Sequence, residues 1–181
     1  MKKKFSILAA LVLVLAVSLT TLAFLTAETD AVTNTFTIGD INIELDEDGF
    51  EQGSKIYPGV TINKTPVVTV LPNSEPTYLY VLIENQLSPH GVLDILPANW
   101  ESIRTQGNKT VYRYTSIIPL SGTEQPFTVF TNVSFADTLT KTELATLQGK
   151  TITIDAFAHQ ELKATLAIAD AAALTHFGVT P

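Results

Sequence analysis

Apolar and polar residues alternate over several short stretches of the chain, and turn-forming residues separate these stretches. Residues 34–45 alternate with a change of phase at Gly39 and Asp40, which predicts two strand halves joined by a bulge or bend. Residues 60–70 predict a further strand, in which Pro66 indicates an edge position or a bulge. Residues 77–84 are apolar on both faces and predict a central, buried strand.

The middle of the chain has the pattern of a β-hairpin. Residues 100–105 and 110–116 are strand-like, and the turn between them contains Gly107 and Asn108. Both of these residues are able to adopt positive φ, which two-residue hairpin turns require. Trp100, the only tryptophan, is predicted to anchor the core.

The last third of the chain mixes strand and helix patterns. Residues 126–135 and 150–159 alternate and predict strands. Residues 137–147 follow a helical period that ends near Gly149, and residues 161–174 are rich in Ala and predict a second helix. Short strands separated by turns, with one or two short helices, predict an all-β fold, an antiparallel β-sandwich.

The start of the chain has the layout of a secretory signal peptide. Three consecutive lysines precede an apolar run over residues 5–22, and the small-x-small pattern of Thr21 and Ala23 marks a cleavage site. We therefore predict a mature chain that begins at Phe24. The alternative is a retained membrane anchor, because the apolar run is just long enough to span the hydrocarbon of a bilayer.

Composition and charge narrow the possible functions. The chain has 181 residues, no cysteine and a formal net charge of -7 at pH 7. The lack of cysteine excludes disulfide frameworks, thiol nucleophiles and cysteine-ligated metals. The acidic balance disfavours binding to nucleic acid or to anionic membranes. An exported chain of this length can bury a sizeable core without covalent cross-links.

The junction between the signal and the first strand carries a specific motif. Residues 21–26 read T-L-A-F-L-T, and residues 34–45 read N-T-F-T-I-G-D-I-N-I-E-L. In this block the chain resembles the TasA/camelysin family, whose pattern is T-x-A-[FY]-x-T followed by N-x-F-x-x-G-x-[IL]-x-[IL]-x-[IL]. That family comprises Gram-positive exported proteins with signal peptides cut by a dedicated SipW-type signal peptidase.

The resemblance implies a jelly-roll-like sandwich and an extracellular structural role. Some family members form biofilm-matrix fibres, in which the N-terminal segment of one subunit adds a strand to the next. Applied to this chain, the resemblance implies that residues 1–23 are the signal peptide, residues 24–37 the donor segment and residues 38–181 the sandwich domain. The partners would be further copies of the chain or another matrix subunit, at the cell surface or in the matrix. The implied anchoring side chains are those of Phe24, Leu25, Val32 and Phe36.

Strand donation also has a physical basis that does not depend on the family. A sandwich that lacks one strand exposes an apolar groove and unpaired backbone groups. An extended segment from a neighbour satisfies both, and head-to-tail pairing produces filaments. The alternative is that residues 24–33 form a frayed tail or fold back onto their own subunit, since Glu28 and Asp30 fit a dry groove only if they point outward.

The histidines do not form a known catalytic pattern. His90, His159 and His176 are scattered, and none stands in the His-Glu-x-x-His pattern of zinc peptidases. A camelysin-like metallopeptidase is the second hypothesis, without a predicted ligand set. We predict that the protein is not an enzyme, has no catalytic residue and needs no cofactor or metal.

Two further features leave binding functions open. The acidic residues 46–48 are interpreted as part of a loop, which is either solvated or able to hold Ca²⁺. Tyr78 and Tyr80 share one strand face, and with Tyr112 they form a candidate platform for a glycan. Core packing of these aromatic side chains is the alternative interpretation.

Overall fold

The computed structural model describes residues 39–48, 53–96 and 98–180. Within these ranges the protein is mostly β, with three antiparallel sheets and two short helices, so the prediction of an antiparallel β-rich fold is confirmed. The strands are β1 (Ile43–Asp48), β2 (Thr61–Asn63), β3 (Thr65–Val70), β4 (Thr77–Asn85), β5 (Gly91–Leu93), β6 (Trp100–Gln106), β7 (Lys109–Tyr114), β8 (Gln125–Thr128), β9 (Asn132–Phe135) and β10 (Ile152–Gln160). The helices are α1 (Lys141–Thr146) and α2 (Leu166–His176).

The three sheets differ in strand order. The first sheet has the order β1-β3-β8, the four-stranded sheet β10-β4-β7-β6, and the third sheet β2-β9-β5. Strand β4 pairs with β10 on one side and with β7 on the other. The prediction that this strand is central, made from its apolar residues on both faces, is therefore confirmed. A strand that is covered on both faces does not need polar residues at alternate positions.

One main core receives side chains from all three sheets. Val68 of β3, Val81 of β4 and Val133 of β9 are buried in it. Trp100 is only 3% exposed, and its indole N–H donates to the carbonyl oxygen of Thr128 at 2.9 Å. The prediction that Trp100 anchors the core is therefore confirmed, and its one polar atom is satisfied there.

A second, smaller core lies on the other face of the four-stranded sheet. Helix α2 covers this face and buries Ala169 and Ala173 against Tyr80 and Val111. The small alanine side chains let the helix approach the sheet closely. Alternate residues of β4 and β7 therefore belong to different cores, which explains why β4 is apolar on both faces.

The predicted hairpin is formed by β6 and β7. Gln106 pairs with Lys109, which leaves the two-residue turn of Gly107 and Asn108. Gly107 has a φ of 63°, whereas Asn108 is not among the described residues with positive φ. Positive φ at the first turn position alone is the pattern of a type II′ turn, in which glycine is preferred there.

Two predicted strands are each divided, which corrects the sequence prediction. Residues 60–70 form β2 and β3, and residues 126–135 form β8 and β9, with the two members of each pair in different sheets. The pairing of β2 with β9 and of β3 with β8 keeps one register, so both strands bend at the same place.

The bend has a local cause in the backbone hydrogen bonds. Pro66 has no N–H to donate, and its carbonyl oxygen accepts from the N–H of Val129 at 3.0 Å. Further along the facing strand, opposite Asn63 and Lys64, the carboxylate of Asp94 accepts the N–H groups of Thr131 and Asn132. Pro66 therefore lies in the middle strand of the first sheet rather than at an edge, beside the point where the ladder is interrupted.

The acidic residues 46–48 belong to a strand and not to the loop that the sequence predicts. Strand β1 continues to Asp48 and pairs with β3 along its whole length, with Glu47 opposite Pro66. The side chain of Lys64 forms an ion pair with Glu47, which offsets one of the clustered negative charges. Residues 39–42, predicted to continue the alternating strand, lie outside any strand.

The helices begin later than their patterns predict. Thr140 caps α1 and exchanges hydrogen bonds with Glu143, which is a capping box. Thr165 caps α2, and Lys163 before it has a φ of 63°, a conformation that no helix continues through. Strand β5 was not predicted, because three residues are too few for a periodic pattern. Neither helix of the described ranges is long and apolar enough to cross a membrane.

Candidate assembly site

Two outer strands of different sheets lie next to each other. Strand β1 is the last strand of the first sheet and β10 is the last strand of the four-stranded sheet, and the two approach each other. Among the described residues, β1 pairs only with β3 and β10 pairs only with β4. Each therefore has a row of backbone groups outside the described ladders, which is the feature that invites strand addition.

A cleft of about 430 Å³ opens where the end of β1 meets the start of β10, and we call it the β10 cleft. Much of its wall is apolar. The apolar wall is formed by Ile56, Ile62, Leu87, Val133, Phe135 and Ile152. Val133 and Phe135 belong to the main core, so the cleft reaches the interior of the protein.

Two lysines stand in the wall of the β10 cleft. Lys64 is 4% exposed and lies between β2 and β3, where the bend turns its side chain towards Glu47 at 2.5 Å. Lys150 is exposed and directly precedes the edge of β10. Sequence reasoning missed both residues, although a lone lysine inside the apolar pattern of residues 60–70 was a signal that a carboxylate had to lie nearby.

A polar network joins helix α2 to the four-stranded sheet. The hydroxyl of Tyr80 donates to Asp170 Oδ1 at 2.9 Å, and Arg113 Nη1 donates to Asp170 Oδ2 at 2.7 Å. Arg113 Nη2 also reaches Glu101 Oε2 at 2.6 Å. Burial, together with the hydrogen bond to Asp170, raises the pKa of Tyr80 well above its ordinary value.

The glycan platform of Tyr78, Tyr80 and Tyr112 is not formed. Tyr80 has no exposed surface, and Tyr78 packs beside it in the core under α2. Tyr112 points to the opposite side of the sheet and packs against the main core. Alternation along the strands separates these rings, so they share no exposed face.

The three histidines stay apart in the structure. His90 lies in a turn, His159 is in β10, and His176 ends α2 and stacks on Phe157 with ring centroids 4.5 Å apart. Within the described ranges, no three His, Asp or Glu side chains come together as a group that could hold a metal ion. The metallopeptidase hypothesis thus gains no ligand set from these residues.

The residues predicted for export and strand donation lie outside the described residues. These are Thr21, Ala23, Phe24, Leu25, Val32 and Phe36. Comparison of the chain with family models, with curated proteins and with solved structures finds no match. The functional argument therefore rests on the chain's own residues and on the geometry of the described part.

Proposed function

We propose that this chain is an exported structural protein, a subunit or accessory of an extracellular matrix fibre. In this proposal the three sheets belong to a jelly-roll-like sandwich, and copies assemble by donating the N-terminal segment as an extra strand. The observation that carries the proposal is the neighbouring pair of outer strands, β1 and β10, beside an apolar cleft.

The neighbouring outer strands β1 and β10 provide the two features that a donated strand needs, which are backbone hydrogen-bonding groups and an apolar surface. The outer strands provide backbone N–H and C=O groups for main-chain hydrogen bonds, and the cleft provides an apolar surface for alternate side chains. In the donor segment, Phe24 and Phe36 are the largest apolar side chains. Burial of one such ring contributes on the order of 2 kcal/mol, which favours seating it in the cleft.

Charge complementarity supports the same pairing. The donor segment carries Glu28 and Asp30, and both residues are problematic in a purely apolar groove. The β10 cleft is bordered by Lys64 and Lys150, so acidic side chains arriving there would meet positive charge. Because Lys64 is already paired with Glu47, the exposed Lys150 is the more accessible of the two.

The proposal is tested by electron microscopy and sedimentation on two forms of the protein, one that begins at Phe24 and one that begins at Asn34. Filaments from the longer form alone are the expected result, because only that form has the donor segment. Monomers from both forms at high concentration would refute self-assembly by strand donation. The chain would then be better regarded as an accessory that needs a partner.

A substitution in the donor segment provides a sharper test. Phe36→Glu is expected to abolish assembly, because it places a charge where the proposal puts an apolar anchor. Thr37→Glu is the matched control, since residues 36 and 37 point to opposite faces of an extended strand. Loss of monomer stability in Phe36→Glu, measured by urea unfolding, would instead place Phe36 in the core of its own subunit.

A further inference from the structure

A second cleft, of about 360 Å³, lies between strand β5 and the β6–β7 hairpin, and we call it the hairpin cleft. It shares no lining residue with the β10 cleft. Every described residue that lines it is uncharged. Its floor is the face of the four-stranded sheet that carries Ile83 and Tyr112.

A pair of threonine hydroxyl groups lines one part of the hairpin cleft. The Oγ1 atoms of Thr105 and Thr110 are 3.1 Å apart, across the pair of strands next to the turn. Tyr112 follows two residues after Thr110 on the same face of β7, and its side chain also lines the cleft. Hydroxyl groups both donate and accept, so they match the hydroxyl groups of a ligand without requiring a charge.

Apolar side chains also line the hairpin cleft. The ring of Tyr112 is half-buried, with one part packed against the main core and the remaining surface lining the cleft. Pro89, Val92 and Ile95 lie on the β5 side, and Val92 is 61% exposed. A ligand that fits can place C–H groups against the apolar side chains and hydroxyl groups against the threonines.

We propose that the hairpin cleft binds a short, neutral saccharide. A sugar ring combines an apolar C–H face with equatorial hydroxyls, which matches Tyr112 and the threonine pair. The volume lies at the lower end of the range of small-molecule sites, as a short oligosaccharide requires. This inference does not rest on the proposed fibre assembly.

The surrounding charges favour a neutral ligand over an acidic one. The cleft residue Asn108 donates to Glu84 Oε1 at 3.1 Å, so a negative charge stands at the rim. The whole chain carries a formal net charge of -7. Both repel an anionic polysaccharide, and no cationic side chain among the lining residues compensates for that repulsion.

Isothermal calorimetry with the purified exported protein tests the inference. The probes are the neutral saccharides maltotriose, cellotriose and diacetylchitobiose, with trigalacturonic acid as the anionic comparator. We expect at least one neutral probe to bind saturably and the anionic probe to give no measurable heat. The absence of saturable binding by every neutral probe at millimolar concentration would overturn the inference.

Variants locate the binding within the protein. Thr110→Val and Tyr112→Phe remove one hydroxyl each with little change of shape, and each is expected to weaken binding roughly tenfold. Thr123→Val, in an exposed turn outside the cleft, is the matched control and should bind as the wild type does. Circular dichroism verifies the folding of each variant, and Thr105→Val replaces Thr110→Val if the latter does not fold.

The variants and one further probe also discriminate other occupants. Equal affinity of the wild type and the folded hydroxyl variants would place the saccharide elsewhere and refute the assignment. Binding of a neutral strand-forming peptide, with no response to any saccharide, would also refute it. That result would assign the cleft to strand addition at the outer edge of β5.

Discussion

Single side chains decide how helix α2 is held on the four-stranded sheet. Asp170 is the only charged residue of the helix, and it faces inward to Tyr80 and Arg113. An unpaired carboxylate at that place would be costly, but here each oxygen accepts a hydrogen bond. The network therefore sets the orientation of a helix in which Thr175 and His176 are the only other polar residues.

Removal of the Tyr80 hydroxyl is expected to lower the stability of the protein. Tyr80→Phe loses one hydrogen bond to a charged acceptor and leaves Asp170 with Arg113, so the free energy of unfolding should fall by about 1 kcal/mol. The exposed Tyr57 is the matched control, and Tyr57→Phe should change little. Urea unfolding at pH 7 provides the measurement, and equal values for the two variants would contradict a role for the network.

The raised pKa of Tyr80 also predicts a pH dependence. The folded state binds the phenolic proton more tightly than the unfolded state, whose tyrosine titrates near pH 10. Its contribution to stability is therefore complete below about pH 10 and is lost as the pH rises above that value. The alkaline loss of stability should be smaller in Tyr80→Phe than in the wild type, as measured by urea unfolding across that pH range.

Asp94 stabilises the bend between the first and third sheets. Its carboxylate accepts the N–H and side-chain groups of Thr131 and Asn132 at distances between 2.6 Å and 3.0 Å. Desolvation opposes its ionisation, but these hydrogen bonds together outweigh that effect and lower the pKa of Asp94 to about 2. The ionised carboxylate thus replaces the strand partner that the bend removes.

A second pH dependence follows from Asp94, at the acidic end. The contribution of Asp94 is complete above its ordinary pKa of 3.8 and is lost as the pH falls towards about 2. Asp94→Asn should therefore be less stable than the wild type at neutral pH, and its stability should fall less between pH 4 and pH 2. Thermal unfolding measures both effects. Glu124→Gln, at an exposed turn, should retain the wild-type acid profile, and the same profile in Asp94→Asn would exclude this role.

The hairpin of β6 and β7 depends on the backbone of one glycine. Gly107 has a φ of 63°, and a Cβ added there meets no atom within 4 Å, so only the backbone conformation opposes a side chain. Gly122 also has open space around it, but its φ does not lie in the positive region. A methyl group added at either glycine is not crowded, so a difference between the two alanine variants measures the cost of positive φ.

Alanine substitutions at Gly107 and Gly122 test this role of the backbone. Gly107→Ala should lower the free energy of unfolding by roughly 1–2 kcal/mol, because an L-residue is strained at positive φ. Gly122→Ala should stay within about 0.5 kcal/mol of the wild type. Urea unfolding of both variants measures the difference, and similar stabilities would mean that the turn relaxes to another form.

The net negative charge of the protein opposes contact between copies. Assembly therefore needs local positive charge where the copies meet, and Lys150 at the β10 cleft supplies it in the proposed fibre. Lys141, in α1, carries the same charge on another exposed surface. Replacing either lysine changes the net charge equally, so only position distinguishes the two variants.

This comparison predicts the charge dependence of assembly. Lys150→Glu should raise the concentration needed for filaments by roughly fivefold, which corresponds to ~1 kcal/mol for a surface ion pair. Lys141→Glu should raise it much less, and the difference should shrink at high salt because mobile ions screen exposed charges. Sedimentation of filaments at two ionic strengths measures both effects. Equal behaviour of the two variants would remove the β10 cleft from the contact.

Local periodicity and turn chemistry are enough to predict several features of this fold. The central strand β4, the β6–β7 hairpin, the core position of Trp100 and the existence of two helices all follow from patterns within a few residues. Such patterns are reliable because side chains alternate across a strand and because glycine tolerates positive φ. The acidic, cysteine-free character of the chain is likewise a property of composition alone.

The choice of neighbouring strands and the places where strands break depend on contacts between distant parts of the chain. The alternation of residues 60–70 continues through Lys64, yet the ladder is interrupted because distant Asp94 takes over the opposing N–H groups. The pairing of Lys64 with Glu47 and the adjacency of β1 and β10 likewise join residues far apart in the chain. A local pattern shows which face of a strand is apolar, whereas the residues that pack on that face depend on the fold of the whole chain.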